Sequence, residues 1–323
     1  MKPLTSPPPK TVSVVIPCYN GMPYLAKALE TAVHQTHRAI EIIVVDDGST
    51  DRSDLCVQEY ARAHPDAGIK LIQQENQGEP AARNAGIAVS TGHWVASLDT
   101  DDWWEPKKLE KQLAVADRSG ASCVLVHTGI IRHFSDGRYE VADSSGSSRR
   151  VGWCTEALLE PAHISHPSLM VRRDILDQIK GYDETFKQAC DIDLYFRLSV
   201  MGTFAFVEEP MVHYRYHAAQ MSEDRFDQIQ YHFRAINKFI KNHPQQVDKI
   251  GIRQFHDAMA ELTVVKLESY YWRRCLSDFR KLLAYANQHG LDNPQIDVWR
   301  KRGRWPNWSI HIKDCLCKRS HCL

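Results

Sequence analysis

The sequence predicts an α/β fold, with a Rossmann-like, mostly parallel sheet flanked by helices and a helical C-terminal extension. Two observations lead to this prediction. First, short apolar runs alternate with segments of helical periodicity through residues 11–127, a pattern typical of βαβ units and parallel sheets. Second, several of these runs end in acidic or turn-forming residues. A parallel sheet gathers such strand ends at one edge, where open α/β sheets bind their ligands.

The first half of the chain supplies the predicted sheet. A proline-rich leader, residues 1–10, is expected to be disordered. Buried strands are predicted at residues 11–16, 40–45, 69–73, 94–98 and 121–127, because these runs are apolar with little polar alternation. The helices between them are predicted from residue 23 and at residues 51–63, 79–89 and 106–119, where apolar residues recur at helical spacing.

The pattern changes after His127. Ser-Asp-Gly at residues 135–137 predicts a hairpin turn, and the Ser/Gly-rich residues 143–150 predict a mobile loop of the kind that forms lids. Further strands are predicted at 168–171, 204–207 and 211–216, and helices at 174–180 and 190–201. The remainder reads as helical. We therefore expect one main domain over residues 11–222 and a helical extension over residues 223–323.

Composition excludes several classes of protein. Lys plus Arg and Asp plus Glu number 40 each, so the whole chain has no net field that attracts nucleic acid or anionic lipid. Nine cysteines without a secretory signal indicate reduced thiols and a cytoplasmic location. No stretch approaches the roughly 18 apolar residues of a spanning helix. The Trp, Lys and Arg residues from Trp299 onward leave two alternatives, a solvated helix end or a peripheral contact with the inner face of the cell membrane.

Three acids follow the predicted strand at residues 94–98. Asp99, Asp101 and Asp102 are so close in sequence that their carboxylates must repel one another. A divalent cation with hard oxygen ligands relieves this repulsion, and a phosphorylated substrate can complete the metal's shell. The alternative is an acidic turn that precedes the next helix. There is no P-loop lysine motif, so phosphate binding would depend on the metal.

Four motifs occur in order on the predicted strand ends and the adjoining turns. They are VVIPCYN at 14–20, VVDDGSTD at 44–51, NQG at 76–78 with ARNAG at 82–86, and LDTDD at 98–102. Each motif is weak alone, but the ordered set resembles the family 2 glycosyltransferases. These are inverting, metal-dependent enzymes of GT-A fold that use nucleotide-sugar donors. The resemblance covers about residues 11–222.

The resemblance implies nucleotide contacts in each motif. Asp47 occupies the position that hydrogen-bonds the base, commonly uracil, whereas Asp46 is expected to hold the turn. Arg83 resembles the arginine near the diphosphate, and a salt bridge on the helix surface is the alternative. The implied nucleotide-binding residues are Pro17, Tyr19, Asn20, Asp47, Arg83 and Asp99.

The resemblance also implies a bound Mn²⁺ or Mg²⁺. Asp101 is the expected direct ligand, although the sequence does not separate it from Asp102. Residues 211–222 resemble the segment that folds back over the nucleotide. His217 is therefore implied as a third metal ligand or a phosphate contact, with a structural histidine as the alternative.

The stretch ACDIDLYFRL at 189–198 matches the place where the family has a Glu-Asp pair at a helix start. Asp191 stands in the position of the base that takes the acceptor's proton. Cys190 replaces the Glu, which removes one negative charge beside Asp191. A helix cap is the alternative for Asp191. Trp103, His166 and Cys190 are implied to line the acceptor or sugar pocket.

The function that follows is inverting transfer of a sugar from a nucleoside-diphosphate donor, expected to be a UDP-sugar. The acceptor is expected to be a hydroxyl of a saccharide or lipid-linked molecule, in glycan, polysaccharide or lipid-linked saccharide synthesis. One alternative is a non-catalytic protein that binds nucleotide sugars, against which the intact acids argue. The other is a nucleotidyltransferase on a similar fold. That class needs a basic, Gly-rich loop after the first strand, and residues 17–22 contain no basic residue.

Overall fold

The computed structural model describes residues 10–142, 150–160, 164–217 and 226–303. The chain divides into two compact units, residues 1–158 with 162–223 (unit 1) and residues 159–161 with 224–323 (unit 2). Nearly all of the predicted leader and of the loop at 143–150, and the last 20 residues, lie outside the described residues. Among the described helices, none combines the length and the apolar character needed to cross a bilayer.

Unit 1 consists of a sheet flanked by helices. Its strands are β1 (Val12–Cys18), β2 (Glu41–Asp46), β3 (Ile69–Gln73), β4 (Trp94–Ser97), β5 (Trp103–Trp104), β6 (Cys123–His133), β7 (Tyr139–Ala142), β8 (Met170–Arg172) and β9 (Thr203–Arg215). Its helices are α1 (Leu25–Val33), α2 (Ser53–Ala63), α3 (Glu79–Val89), α4 (Lys108–Ser119), α5 (Arg173–Ile179) and α6 (Cys190–Ser199).

The sheet has the strand order β3-β2-β1-β4-β8-β6-β9-β5, with β7 paired to β6. The first four strands are parallel to their neighbours, and β8 joins them in antiparallel orientation. The predicted α/β fold with helices flanking the sheet is confirmed, and the sheet becomes mixed beyond β4. The carboxyl ends of β1, β2 and β4 meet at one edge, since these strands are parallel.

Both faces of β1 are covered, which explains its apolar sequence. Val14 and Ile16 belong to a core cluster with Leu29 of α1. Val15 points to the other face, against α3. There Gly86 leaves no room for a side chain, because a Cβ built on it would lie 2.5 Å from Cγ1 of Val15.

Two differences from the predicted elements affect the edge of the sheet. Trp103 and Trp104 form a short strand that pairs antiparallel with β9, where the sequence predicts no strand. The two strands predicted at 204–207 and 211–216 are one strand, β9. Its register with β6 is irregular opposite Thr128 and Gly129, where Pro210 lies. Proline lacks the N–H that a regular ladder requires, and a bulge allows the strand to continue.

The described part of unit 2 is helical. Its helices are α7 (Phe226–Asn242), α8 (Pro244–Ile250), α9 (Ile252–Trp272), α10 (Leu276–Gln288) and α11 (Pro294–Gly303). Aromatic side chains form much of its interior. Tyr271 packs against Phe279 and Trp299, and Phe239 stacks on Phe255. Unit 2 therefore has a hydrophobic core of its own.

Candidate active site

The turns after β1 and β2 are hydrogen-bonded to each other. Asp46 accepts the N–H of Ser49 at 2.9 Å, which closes the second turn. Asn20 lies in the left-handed region at φ 51°. Its N–H donates to the Ser49 hydroxyl at 2.9 Å, and its side-chain oxygen accepts the N–H of Thr50 at 2.8 Å. Tyr19, the preceding residue, is exposed.

Asp47 is buried, with 3% of its surface exposed. Its Oδ1 accepts hydrogen bonds from the Gln74 side chain at 2.7 Å and the Gln77 N–H at 2.9 Å, and its Oδ2 accepts the Gly78 N–H at 2.8 Å. A carboxylate has about four lone-pair positions. Asp47 therefore holds the loop before α3 and keeps about one position for a ligand. Pro17, one strand away, is half-buried within β1.

Arg83 links α3 to the end of β4. It is 2% exposed, so it is not the surface salt bridge that the sequence leaves open. Its Nη2 donates to Asp99 at 2.7 Å, and its Nε and Nη2 both donate to Glu79. Burial by itself would lower the pKa of Arg83, but the charges of Glu79 and Asp99 hold it well above the usual value. Its Nη1 is buried without a partner in the described structure.

Asp101 and Asp102 differ in exposure and in contacts. Asp102 is 1% exposed, and its Oδ1 accepts the backbone N–H of Arg215 at 3.0 Å. Asp101 is half-buried, and its Oδ2 lies 3.0 Å from Nε2 of His217. Burial raises the pKa of both carboxyls. The charge of Asp99 raises that of Asp101 further, and Asp101 and Asp99 both raise that of Asp102.

These residues fit a hard divalent cation. Two adjacent carboxyls with raised pKa values repel each other when ionised, and Oδ2 of Asp102 is buried without a hydrogen-bond partner in the described ranges. Oxygen ligands of this type suit Mg²⁺ and Mn²⁺. In the part of the chain that the structure describes, no three His, Cys, Asp or Glu side chains form a metal-binding group. A metal would therefore need further oxygen ligands from a substrate.

Asp191 lies in the first turn of α6. The N-cap is Ala189, at φ 52°, which makes no side-chain capping hydrogen bond, and Oδ1 of Asp191 accepts the N–H of Ile192 at 2.9 Å. Asp191 therefore does not occupy the capping position that the sequence leaves open. A non-glycine residue in the left-handed region costs about 1–3 kcal/mol, and such strain often marks functional sites. Burial raises the pKa of Asp191 to about 6, and the charge of Glu79 contributes. A carboxyl with this pKa is suited to general base catalysis near neutral pH.

His166 and Cys190 are uncharged neighbours of this region. Nε2 of His166 is hydrogen-bonded to the Tyr182 hydroxyl at 2.6 Å. Burial and the charge of Arg83 lower the pKa of His166 well below its usual value, so its ring is neutral. Its Nδ1 is buried without a partner in the residues described. Cys190 is buried, and burial raises the pKa of its thiol, so it carries no charge.

Residues of α4 and β5 hydrogen-bond to the short 3₁₀ helix His166–Ser168, which carries the His166 side chain. The Trp104 indole N–H donates to the Pro167 carbonyl at 3.0 Å, and the Gln112 side chain donates to the Ser168 carbonyl at 2.8 Å. Lys108 is fully buried, with its ammonium 3.9 Å from the Trp104 ring centroid. These buried contacts fix the backbone that follows His166.

Strand pairing brings aromatic and basic side chains onto one face of the part of the sheet formed by β5, β9, β6 and β7. Trp103 pairs with His213, and His133 pairs with both Arg215 and Tyr139. Trp103 stacks on His213 at 4.9 Å and lies 4.7 Å from the His133 ring. The Tyr139 ring is 6.3 Å from His133 and is 71% exposed. We call this set the aromatic face.

A chain of hydrogen bonds supports the aromatic face. Nε2 of His133 is 2.8 Å from Nδ1 of His213, and Nε2 of His213 is 2.8 Å from Glu105. The sequence analysis assigns no role to these three residues or to Glu79. Spacing on a helix could have indicated Glu79, which is four residues before Arg83. No local pattern could have indicated the histidines, because their meeting depends on strand register.

This sheet order and these acids at the strand ends define the class of protein, a glycosyltransferase of GT-A fold. The structure superposes on Staphylococcus aureus TarS with a TM-score of 0.64 over 91% of this chain and 92% of that chain, at 19% identity. It superposes on a mannosyltransferase of Pyrobaculum calidifontis with a TM-score of 0.59 over 93% and 82% of the two chains, at 21% identity. TarS has been solved with UDP, and the mannosyltransferase with GDP-Man and Mn²⁺.

The chain belongs to glycosyl transferase family 2, whose signature matches residues 13–179. It is 34% identical to an uncharacterized glycosyltransferase of Nostoc over 64% of this chain and 65% of that protein. It is 30% identical to one of Rickettsia prowazekii over 86% and 85% of the two chains. Chondroitin synthase of Escherichia coli is 27% identical over 83% of this chain, but the match spans only 37% of that enzyme. The family resemblance is thus confirmed.

Proposed function

We propose that this protein transfers a sugar, with inversion, from a nucleoside-diphosphate donor to a hydroxyl of a saccharide or lipid-linked acceptor. The observation that carries this proposal is Asp191, a carboxyl with a pKa of about 6 that lies within the electrostatic reach of Glu79 and Arg83. Arg83 in turn binds Asp99 at the edge where the acids follow β4. We therefore assign the base and the groups that would bind the diphosphate to one site.

The donor nucleotide is assigned to the turns after β1 and β2. Tyr19 is exposed there, Asn20 joins the two turns, and Asp47 keeps a lone-pair position for a base N–H. Pro17 and Asp99 border this region. UDP is the nucleotide we favour, since a neighbour of the same fold has been solved with it. Nη1 of Arg83 is buried and unsatisfied within the described residues, as expected of a group that donates to a phosphate or sugar oxygen.

Mn²⁺ or Mg²⁺ is the cofactor we assign, with Asp101 and Asp102 as its protein ligands. Bound there, the cation would stabilise negative charge on the departing diphosphate as a Lewis acid. Asp101 is the more accessible ligand, because Asp102 is almost fully buried and already accepts a hydrogen bond from Arg215. His217 contacts Asp101 through Nε2. We assign it to orienting this carboxylate or, after that contact breaks, to binding metal or phosphate.

The chemical step follows from the position and charge of Asp191. The acceptor hydroxyl gives its proton to the Asp191 carboxylate while its oxygen bonds to the anomeric carbon. The bond from that carbon to the diphosphate oxygen breaks on the opposite face, so the configuration inverts. His166, neutral and with a buried Nδ1, is assigned to a sugar hydroxyl. Because the Cys190 thiol is uncharged, it adds no second charge beside the Asp191 base.

The acceptor is assigned to the aromatic face. Trp103 directly follows Asp102, its ring lies beside that of His133, and the His133 ring in turn lies beside that of Tyr139. Aromatic rings offer apolar surface and imidazoles offer hydrogen bonds, a combination that suits sugar rings. Synthesis of a polysaccharide or lipid-linked saccharide is the setting we favour, in the cytoplasm or at the inner membrane surface.

The first test replaces Asp191 by Asn, which keeps the size of the side chain but cannot accept the proton. The donor is identified first, by screening the wild type against a panel of nucleotide sugars in the presence of Mn²⁺ and measuring the nucleoside diphosphate that is released. In Asp191→Asn we expect transfer to fall by about 10²–10⁴ while donor affinity changes little. Asp177→Asn, at an exposed position of α5, is the matched control and should keep full activity. Transfer by Asp191→Asn at the control's rate would remove Asp191 as the base. Donor binding without any turnover in the wild type would favour a non-catalytic binding protein.

A further inference from the structure

The hydrogen-bond chain of the aromatic face has a defined direction. Nε2 of His213 lies 2.8 Å from Oε1 of Glu105, and Nδ1 of His213 lies 2.8 Å from Nε2 of His133. An ionised carboxylate can only accept, so Nε2 of His213 carries the proton that it donates to Glu105. In a neutral imidazole the other nitrogen is then an acceptor. Nδ1 of His213 therefore accepts, and Nε2 of His133 donates to it.

This direction leaves the last nitrogen of the chain, Nδ1 of His133, without a proton. Nδ1 accepts no hydrogen bond from the described residues, and it is not buried. The proton positions are assigned from the partners of each nitrogen. The reverse assignment would place a lone pair of His213 against a lone pair of Glu105 at 2.8 Å. The chain therefore ends in an accessible lone pair on the aromatic face.

The assignment requires two neutral imidazoles, because a protonated His213 would donate from both nitrogens. Histidine side chains are ordinarily neutral at pH 8. Burial lowers the pKa of His133, and the charges of His213 and Arg215 lower it further. The Arg215 guanidinium also lies 4.7 Å from the centroid of the Trp103 ring on which His213 stacks. Its charge opposes a second positive charge in the chain.

The surroundings of His133 favour one class of ligand. Its ring lies 4.7 Å from that of Trp103 and 6.3 Å from that of Tyr139. Aromatic faces offer apolar surface, while the lone pair on Nδ1 calls for a hydrogen-bond donor. A neutral sugar unit supplies both an apolar C–H face and hydroxyl donors. A carboxylate or a fully ionised phosphate has no proton to donate, and its charge would be repelled by the lone pair.

We propose that Nδ1 of His133 accepts a hydrogen bond from a hydroxyl of an uncharged sugar unit of the acceptor. Glu105 and His213 are then positioning residues, which fix the tautomer of His133. The proposal rests on the function proposed above and deepens it by naming the recognising atom and the class of sugar. His133 determines specificity in this assignment, and Asp191 remains the base.

The first experiment measures the tautomers. Full-length protein labelled with ¹⁵N in histidine is studied by NMR at pH 8, where protonated and unprotonated ring nitrogens have different ¹⁵N shifts. His133→Phe and His213→Phe assign the signals. We expect Nδ1 of both histidines to be unprotonated. Glu105→Ala should give mixed tautomers, and Glu105→Gln, whose amide oxygen can still accept, should restore a single one. A protonated Nδ1 of His133 in the wild type would overturn the proposal, as would tautomers unaltered by Glu105→Ala.

The second experiment compares neutral and anionic probes. p-Nitrophenyl β-glucoside and β-N-acetylglucosaminide are neutral, and p-nitrophenyl β-glucuronide has the shape of the glucoside with a carboxylate added. Each is titrated into the labelled protein and into two variants, with the Nδ1 shift of His133 and calorimetry as readouts. His133→Phe keeps a ring but removes the lone pair. The control, His256→Phe, makes the same change at an exposed position of α9.

We expect the neutral glycosides to bind more tightly than the glucuronide. His133→Phe should weaken neutral binding about tenfold, the loss of about one hydrogen bond, and the control should not. Preference for the glucuronide would overturn the proposal in favour of recognition by Arg215. Equal affinities in His133→Phe and the control would also overturn it, as would no binding of either neutral glycoside. Thermal unfolding is compared first, and Glu105→Ala, with an expected loss of a few-fold, replaces His133→Phe if the latter is unfolded.

Both experiments measure the protein without turnover. Their failure would leave the assignment of Asp191 as the base intact. Failure of the transfer assay would in turn leave the tautomer and the binding preference measurable. The two proposals can therefore be contradicted separately.

Discussion

Asp191 illustrates how neighbours that are distant in sequence tune a single residue. The sequence analysis expects Cys190 to remove a negative charge from the vicinity of the base. In the structure, the charge of Glu79 on α3 acts on both Asp191 and Cys190. We interpret Glu79 as a substitute for the acid that Cys190 replaces, supplied from another helix. Because Glu79 also binds Arg83, it couples the base to the group that we assign to the donor.

The pH dependence of transfer tests this interpretation. Asp191 accepts a proton only when ionised, and its pKa is raised to about 6, so the rate should be lost as pH falls through that value. Below the midpoint the rate should fall about tenfold per pH unit. Glu79→Gln removes a negative charge that raises this pKa, so the acidic limb should move to lower pH. Glu59→Gln, at an exposed position of α2, should leave the limb in place. The same midpoint in Glu79→Gln and in the control would show that Glu79 does not tune the base.

The two adjacent acids make a separate prediction about the metal. Asp101→Asn should weaken Mn²⁺ binding in the presence of UDP at least about tenfold, because Asn offers a neutral oxygen in place of a charged ligand. Titration calorimetry or the paramagnetic resonance of free Mn²⁺ measures this affinity. Asp117→Asn on α4 is the control. Turnover of the wild type should also disappear in excess EDTA. Full turnover in the chelator, or unchanged affinity in Asp101→Asn, would contradict the assignment.

At the scale of elements, the contact of α3 with β1 keeps Arg83 and Glu79 in place. Gly86 lies against Val15 with no space for a methyl group. Gly86→Ala should therefore reduce the free energy of unfolding by about 1–3 kcal/mol, the usual cost of overpacking a core. Ala88→Ser, on the exposed side of the same helix, should change it by less than about 0.5 kcal/mol. Denaturant unfolding measures both. Equal free energies of unfolding for Gly86→Ala and Ala88→Ser would mean that α3 can move away from β1 without loss of stability.

The pairing of β5 with β9 creates the aromatic face, which no sequence motif predicts. Trp103 points to the aromatic face and Trp104 to the interior, because adjacent residues of a strand point to opposite faces. The two tryptophans therefore have different surroundings. Trp104 is buried against the 3₁₀ helix of His166, and Trp103 stacks on His213.

At the scale of the whole molecule, the chain combines an acidic and a basic part. Residues 1–225 contain 23 Lys and Arg against 31 Asp and Glu, and residues 226–323 contain 17 Lys and Arg against 9 Asp and Glu. With a pI near 7.3, an evenly charged protein would pass through both cation and anion exchangers at that pH. We expect this protein to be retained by both at low ionic strength, since local charge governs adsorption. Elution should begin by about 0.1 M salt, where the Debye length is about 10 Å. A neutral protein of similar mass, about 37.0 kDa, provides the reference. Flow-through on both resins would contradict a separated charge distribution.

The local features of this protein were readable from its sequence. Strands buried on both faces are continuous apolar runs, and residues that end them, such as Asp46 and Asp99, stand beside them in the chain. The first parallel strands, the family and the candidate base Asp191 follow from such neighbouring residues, whereas the order of the strands in the sheet does not. The same is true of the stripe of Phe226, Ile229 and Phe233 on α7.

Tertiary structure decided the environment of each candidate residue. Asp102 receives the backbone N–H of Arg215, 113 positions away, and Asp47 is occupied by the loop before α3. The pKa of Asp191 depends on burial and on Glu79, and the aromatic face depends on the register of β6 and β9. Charge, burial and hydrogen bonding act through space, whereas a sequence motif reports only neighbours along the chain. For this reason the identity of the acids was predictable, and their protonation, exposure and partners were not.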